Sequence, residues 1–304
     1  MTPRIRIIAV VLAVALAMAG RAAAESSQGG AFKLPAYGAR AWGMGGAFVA
    51  IADDESAVDW NPAGIAHAGR VVGASYLQLM EGVSAGQSQL VYAMPLTRSR
   101  QETGAATHAA GAMLTHFSAD IAGDVESYRE NYFRLAYAFT PEPLVSFGLG
   151  FSAFMSSSGV EGFDAWGTAV DFGGALSLSQ KWRVALVGRD LFSRYNFDDG
   201  HDYKKEPEYI VGVARQGGPL ALTADVVRSY GNWARVSAGA ETEYFFSHVA
   251  LRGGVAWLSS TEPRTIPSFG VSVKVDRLSL HYGASIDDDE ALGNTHRVSL
   301  AVRI

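Results

Sequence analysis

From residue 70 to the C-terminus, apolar and polar side chains alternate in segments of about ten residues separated by turn formers. Side chains of a strand point alternately to opposite faces, so this period of two predicts β-strands with one apolar and one polar face. In 296–304, His296, Val298, Leu300, Val302 and Ile304 share one face and Arg297, Ser299, Ala301 and Arg303 the other. In 277–286, Leu278, Leu280, Tyr282, Ala284 and Ile286 oppose Arg277, Ser279, His281, Gly283 and Ser285. Fourteen such segments are read, at 70–80, 86–96, 105–117, 130–140, 143–155, 164–178, 181–192, 207–216, 219–228, 233–245, 248–258, 266–275, 277–286 and 295–303. Most reach the ~9–11 residues that cross a bilayer with tilt. The expected fold class is therefore all-β, a transmembrane antiparallel β-barrel of about 14 strands.

The connections support this independently. Barrels of this kind have short turns on one side of the membrane and longer loops on the other. The odd-numbered connections include 118–129, 156–163, 193–206, 259–265 and 287–294, whereas the even ones include 140–142, 179–180, 217–218, 246–247 and the single Asp276. The second connection, 97–104, is long for its side. Aromatic residues near segment ends, such as Trp166, Trp182, Trp233, Trp257, Phe245 and Tyr282, fit interfacial belts or ordinary core positions.

Residues ahead of the strands divide in two. Arg4 and Arg6, an apolar stretch over 7–20 and the small residues Ala22, Ala23 and Ala24 predict a cleaved secretory signal peptide at 1–24. Its apolar core is shorter than the roughly 20 residues of a membrane-spanning helix. The expected route is the Sec pathway to the bacterial outer membrane, with the lipid bilayer and the barrel-assembly machinery as partners. Residues 25–69 are rich in Gly and Ala without alternation and stand apart from the barrel at 70–304; a family resemblance carried by residues 39–66 implies that they form an N-terminal hatch or plug segment inside the lumen.

Composition narrows the function. The net charge is −5, and loss of an arginine-bearing leader makes the mature chain more acidic still, which argues against nucleic acid. Cysteine is absent, so neither disulfides nor thiolate metal sites are available. The histidines show no metal-ligand spacing and no nucleophile–base constellation is found, so no enzyme, cofactor or metal is expected. The acidic runs 198–202 and 287–290 lack calcium-loop spacing and read as solvated loops.

Within the plug segment, Gly43, Gly45 and Gly46 lack the lysine of a phosphate loop and predict close backbone approach to the wall. Asn61, Pro62 and Ala63 predict a turn: Pro62 extends Asn61, whose side chain then bonds nearby backbone. That turn could be structural or could rearrange to open a path. Asp53 and Asp54 are expected to pair with basic wall residues, drawn from Arg134, Arg183, Arg189, Arg235, Arg252, Lys274, Arg277, Arg297 and Arg303 on the polar face. Asp171, Asp225, Glu241 and Glu243 face them, and Arg134, Asp171, Arg189, Asp225 and Arg252 form the expected lumen network.

Residues 39–66, with Gly43 to Gly46, Asp53-Asp54 and Asn61-Pro62-Ala63, resemble the N-terminal signature of the PorV/PorQ family of outer-membrane proteins and, more distantly, the FadL family of hydrophobic-compound channels. Residues 292–300 resemble the PorV-type ending. The resemblance implies a fourteen-stranded barrel with an internal hatch. The chain departs from it in ending at Ile304 rather than an aromatic residue, and in carrying Asp59 where an aromatic residue is usual.

Three functions are compatible with these features. A FadL-like barrel would transport or bind hydrophobic small molecules, and would show an apolar pocket beneath the hatch and a lateral wall gap near the third segment. A PorV-like barrel would bind secreted proteins and assist type IX secretion. A structural barrel would do neither.

Overall fold

The computed structural model describes residues 36–79, 85–97, 105–119, 128–158, 164–229, 232–243, 248–259, 263–287 and 294–304. The leader at 1–24 and the first part of the plug segment lie outside these residues, as do Phe245, the side chain of Trp233 and most of the 287–290 run.

The strands are β1 (Val71–Leu79), β2 (Ala85–Pro95), β3 (His108–Ala119), β4 (Tyr128–Glu142), β5 (Val145–Ser157), β6 (Ala165–Ser177), β7 (Trp182–Phe197), β8 (Asp202–Tyr203), β9 (Glu208–Arg215), β10 (Leu220–Ser229), β11 (Asn232–Thr242), β12 (Val249–Leu258), β13 (Arg264–Val275), β14 (Leu278–Ser285) and β15 (Thr295–Arg303). All but the two-residue β8 form one antiparallel barrel of neighbours in sequence order. It closes where β1 pairs with β15, Val71 opposite Arg303 through Gln78 opposite His296. Closure leaves no unpaired edge, the condition for strands in lipid.

The wall is inside out relative to a soluble protein. Leu90, Leu114, Leu135, Leu149, Phe151, Phe269, Leu280, Val298 and Leu300 are exposed on the outside, whereas Gln89, Thr115, Ser152, Asp171, Asp225, Ser272, Arg297 and Ser299 are buried within. Such a continuous apolar exterior is stable only against lipid. Trp166, Trp182 and Trp257 also face outward, and Tyr282 bonds His296 across two strands at 2.8 Å.

Residues 36–69 lie inside. They form three single-turn helices, α1 (Ala39–Trp42), α2 (Ala57–Trp60) and α3 (Ile65–Ala68), with a 3₁₀ turn at Pro62–Gly64. Their apolar side chains, Met44, Phe48, Ile51, Val58, Trp60 and Ile65, make the main core, an arrangement that puts greasy residues at the centre of a polar-lined cylinder. Ahead of β3, Ala105 and Ala106 are buried, and the Ala106 N–H donates to Ala66 O of α3 at 2.9 Å.

Candidate functional site

The plug seats against glycines of the wall. Its chain carries few long side chains, so backbone meets backbone, and inward positions of the wall must lack a Cβ. A Cβ on Gly239 would lie 2.4 Å from Met44 O, and one on Gly148 would lie 2.3 Å from Ala63 N. From the plug side, Gly45, at φ 69°, has its Cβ position 2.7 Å from Val255 N. Gly43 approaches Gly270 in the same way, and Gly46 faces Arg235. Asn61 is extended, at φ −157° and ψ 105°. Its Oδ1 accepts from Ala63 N at 3.0 Å and its Nδ2 donates to Val49 O at 2.8 Å, closing the turn against Gly173.

Buried charges tie the plug to the wall at separate points. On one side Arg134 of β4 donates to Ser152 Oγ at 2.9 Å, to the carboxylates of Asp59 and Asp171, and to Asp59 O at 3.1 Å. Asp59 Oδ2 also accepts from Tyr37 N at 2.7 Å. Arg189 donates to Asp59 O and Trp60 O and lies over the Trp60 ring at 5.3 Å. On the other side Arg40 of the plug bridges Asp53 at 2.6 Å, Asp54 at 2.7 Å and Glu241 of β11 at 2.8 Å. Glu241 in turn pairs with Arg252, which bonds Ser272. Between them Asp225 Oδ2 accepts the backbone N–H of Phe48 at 2.6 Å and of Val49 at 3.0 Å. Arg297 donates to Ala36 O and stacks on Trp42 at 4.9 Å.

Two expectations are corrected here. Asp53 and Asp54 do not pair with basic wall residues; their cation is Arg40, within the plug itself, and the wall supplies Glu241 and the Gln216 amide. Arg277 does not line the lumen but is exposed in the turn between β13 and β14; Arg303 keeps the inward parity of Arg297 and Ser299 but is exposed at the end of β15, and Lys274 pairs with Glu243 at the strand ends. Sequence reasoning missed Arg40 and gave Asp59 no partner, because the plug has no periodicity to mark which side chains face the wall.

Titration of the plug is governed by its burial. Burial, reinforced by the charge of Asp54, raises the Glu55 carboxyl to about 8. Burial, reinforced by Arg183, lowers the His67 imidazole to about 4. For Asp54, burial opposes ionisation, but Arg40 and Ser56 outweigh it and its pKa falls.

A cavity of about 810 Å³ crosses β1 to β6. Its walls are two outward rows that include Ala74, Leu90, Leu114, Phe133, Met155 and Trp166. Its floor is the intervening inward row, Gln89, Thr115, Tyr132, Phe154 and Gly167, read directly from the register. It therefore lies on the membrane side of the wall, not beneath the plug as expected. Nor is there a gap at the third strand: β3 pairs without interruption to β2 and to β4. Ladder β10–β11 and ladder β4–β5 each shift register once, whereas the ladder of β7 with β6 shifts twice, between Thr168 and Phe172. Asp190 and Phe192 there have φ of 55°, uncommon for residues with a Cβ. Each shift inserts one extra residue in β7, a pair of β-bulges.

The closed fourteen-stranded barrel is a fold shared with solved structures of hydrocarbon channels and transporters. Among solved structures it is similar to the toluene transporter TbuX of Ralstonia pickettii, at 14% identity and TM-score 0.65, covering 90% of this chain and 100% of that one. It is also similar to the monoaromatic hydrocarbon channel CymD, at 15% identity and TM-score 0.67, covering 88% and 97%. A Pseudomonas aeruginosa FadL homologue matches at 12% identity and TM-score 0.61, covering 89% and 99%. At these identities the likeness is one of fold. No family model and no curated protein matches the chain.

Proposed function

We propose that this protein binds and transports hydrophobic small molecules across the outer membrane. The observation that carries this reading is the cavity over β1 to β6. Its volume, about 810 Å³, is that of a small-molecule site, and its lining is dominated by Leu90, Leu114, Phe133, Met155 and Trp166. The cavity faces the bilayer, so a solute that reaches it has left water for apolar surface, at roughly 25 cal/mol per Å² buried. The plug, sealed to the wall by buried ion pairs, keeps the lumen from being an open aqueous pore. The barrel therefore favours solutes that partition into apolar surface over those that need water throughout. The hydrocarbon and toluene transporters that share its fold support the same reading.

Uptake into proteoliposomes tests it. A labelled fatty acid or monoaromatic compound should enter faster than in protein-free vesicles, and a sugar should not. The PorV resemblance supplies the competing outcome: no uptake of apolar solute, with capture of exported proteins by the purified barrel.

A further inference from the structure

The outer part of β7 extends past its long neighbour β9 and is covered there only by the short β8 and the segment that follows it. Its ladder with β9 ends where Arg189 faces Glu208, yet β7 continues to Phe197. The segment from β8 to residue 207 lies along this stretch. Tyr203 and Asp202 pair with Tyr195 and Asn196, and Ser193 Oγ donates to Lys205 O at 2.7 Å. Lys205 Nζ reaches Asp190 at 2.6 Å, with both side chains largely buried.

Asp190 is the residue that the bulge turns inward beside Asp171. Its backbone N–H, without a regular ladder partner at this point, donates to Asp171 Oδ1 at 2.8 Å. The other oxygen of Asp171 holds Arg134 at 3.1 Å, and Arg134 holds Asp59 of the plug. A line of alternating buried contacts thus runs from the external segment to the plug. Lys205 is the cation that balances Asp190. Without it, Asp171 and Asp190 present two carboxylates to one Arg134, which is drawn toward them and away from Asp59. Buried charges tolerate such imbalance poorly, so the contacts change together.

We propose that residues 203–207 form a strap whose Lys205–Asp190 contact locks the plug, and that releasing the strap loosens the plug through Asp171, Arg134 and Asp59. The device goes beyond transport itself and stands whether or not the solute class is right.

Because the chain lacks cysteine, single-cysteine reporters are free of background. Val58→Cys, beside Asp59, reports plug exposure by maleimide labelling of the folded protein in detergent. A nitroxide on Lys204→Cys reports strap mobility. Heat-modifiable gel migration verifies that each variant is folded, and Asp190→Asn replaces Lys205→Met should the latter not fold. We expect Lys205→Met to free the strap and raise labelling at residue 58 about tenfold, within the range of allosteric couplings. Lys205→Arg should behave as the parent, and Lys205→Met added to Asp59→Asn should produce no further increase. A freed strap with unchanged labelling overturns the proposal. So do multiplicative effects of Lys205→Met and Asp59→Asn, or a strap that stays immobile once Lys205 is replaced.

Discussion

At the scale of single residues, glycine position decides whether the plug fits. Gly239 and Gly254 face Met44, and a Cβ on Gly254 would lie 2.2 Å from the Met44 carbonyl carbon. Gly253, next to Gly254 but on the other face, has no heavy atom within 4 Å of its Cβ position. Gly254→Ala should therefore unseat the plug at a cost of about 1–3 kcal/mol, the usual range for overpacking. Gly253→Ala should be close to neutral. Trypsin cleavage of the plug in the folded barrel distinguishes them, and equal cleavage of the two variants would contradict the assignment. The same scale shows what the sequence carried. Arg134, Asp171, Arg189, Asp225 and Arg252 could be placed inside because strand parity fixes the face of a wall residue wherever the ladder is regular. Arg40 and Asp59 could not, because the plug's one-turn helices impose no repeat. The departure at Asp59 from the resembled family now has a physical account, since the carboxylate takes up both Arg134 and the Tyr37 N–H.

At the scale of elements, strand limits were legible wherever alternation persisted. β7 is the instructive exception: the period-two reading stops at 192, whereas the strand runs to Phe197. Each of the two extra residues reverses the parity of the strand beyond it, so no single alternation spans β7. The plug carries two buried groups, Glu55 and His67, that make its seating depend on pH. Glu55, raised from 4.5 to about 8, favours the seated plug fully at low pH, and this contribution is lost as pH rises through about 8. His67, lowered from 6.5 to about 4, acts oppositely: its contribution is complete above 6.5 and lost as pH falls through about 4. The two slopes oppose each other between about 4.5 and 6.5, so plug protection should change little there and decline on either side. Glu55→Gln should flatten the alkaline limb and leave the His67 slope unopposed between about 4.5 and 6.5, so that protection there rises with pH. Hydrogen exchange of plug amides against pH measures this, and an alkaline limb that survives in Glu55→Gln would rule Glu55 out as its source.

At the scale of the whole molecule, strand number, closure and orientation of faces all derive from one fact, that polar groups are buried and apolar ones exposed along nearly every strand. The cavity was not legible, since it depends on how six strands curve together and not on any local motif. Its function is the central claim, and filling it is the most direct test. Ala74 and Ala153 are small residues of its outward rows, on β1 and β5. The paired substitution Ala74→Phe and Ala153→Phe places two rings in the cavity while leaving the plug and every wall charge untouched. Uptake of a labelled monoaromatic compound or fatty acid into proteoliposomes should fall at least about tenfold in this folded variant, equivalent to about 1.4 kcal/mol. Undiminished uptake would show that apolar solutes do not use the cavity and would contradict the account.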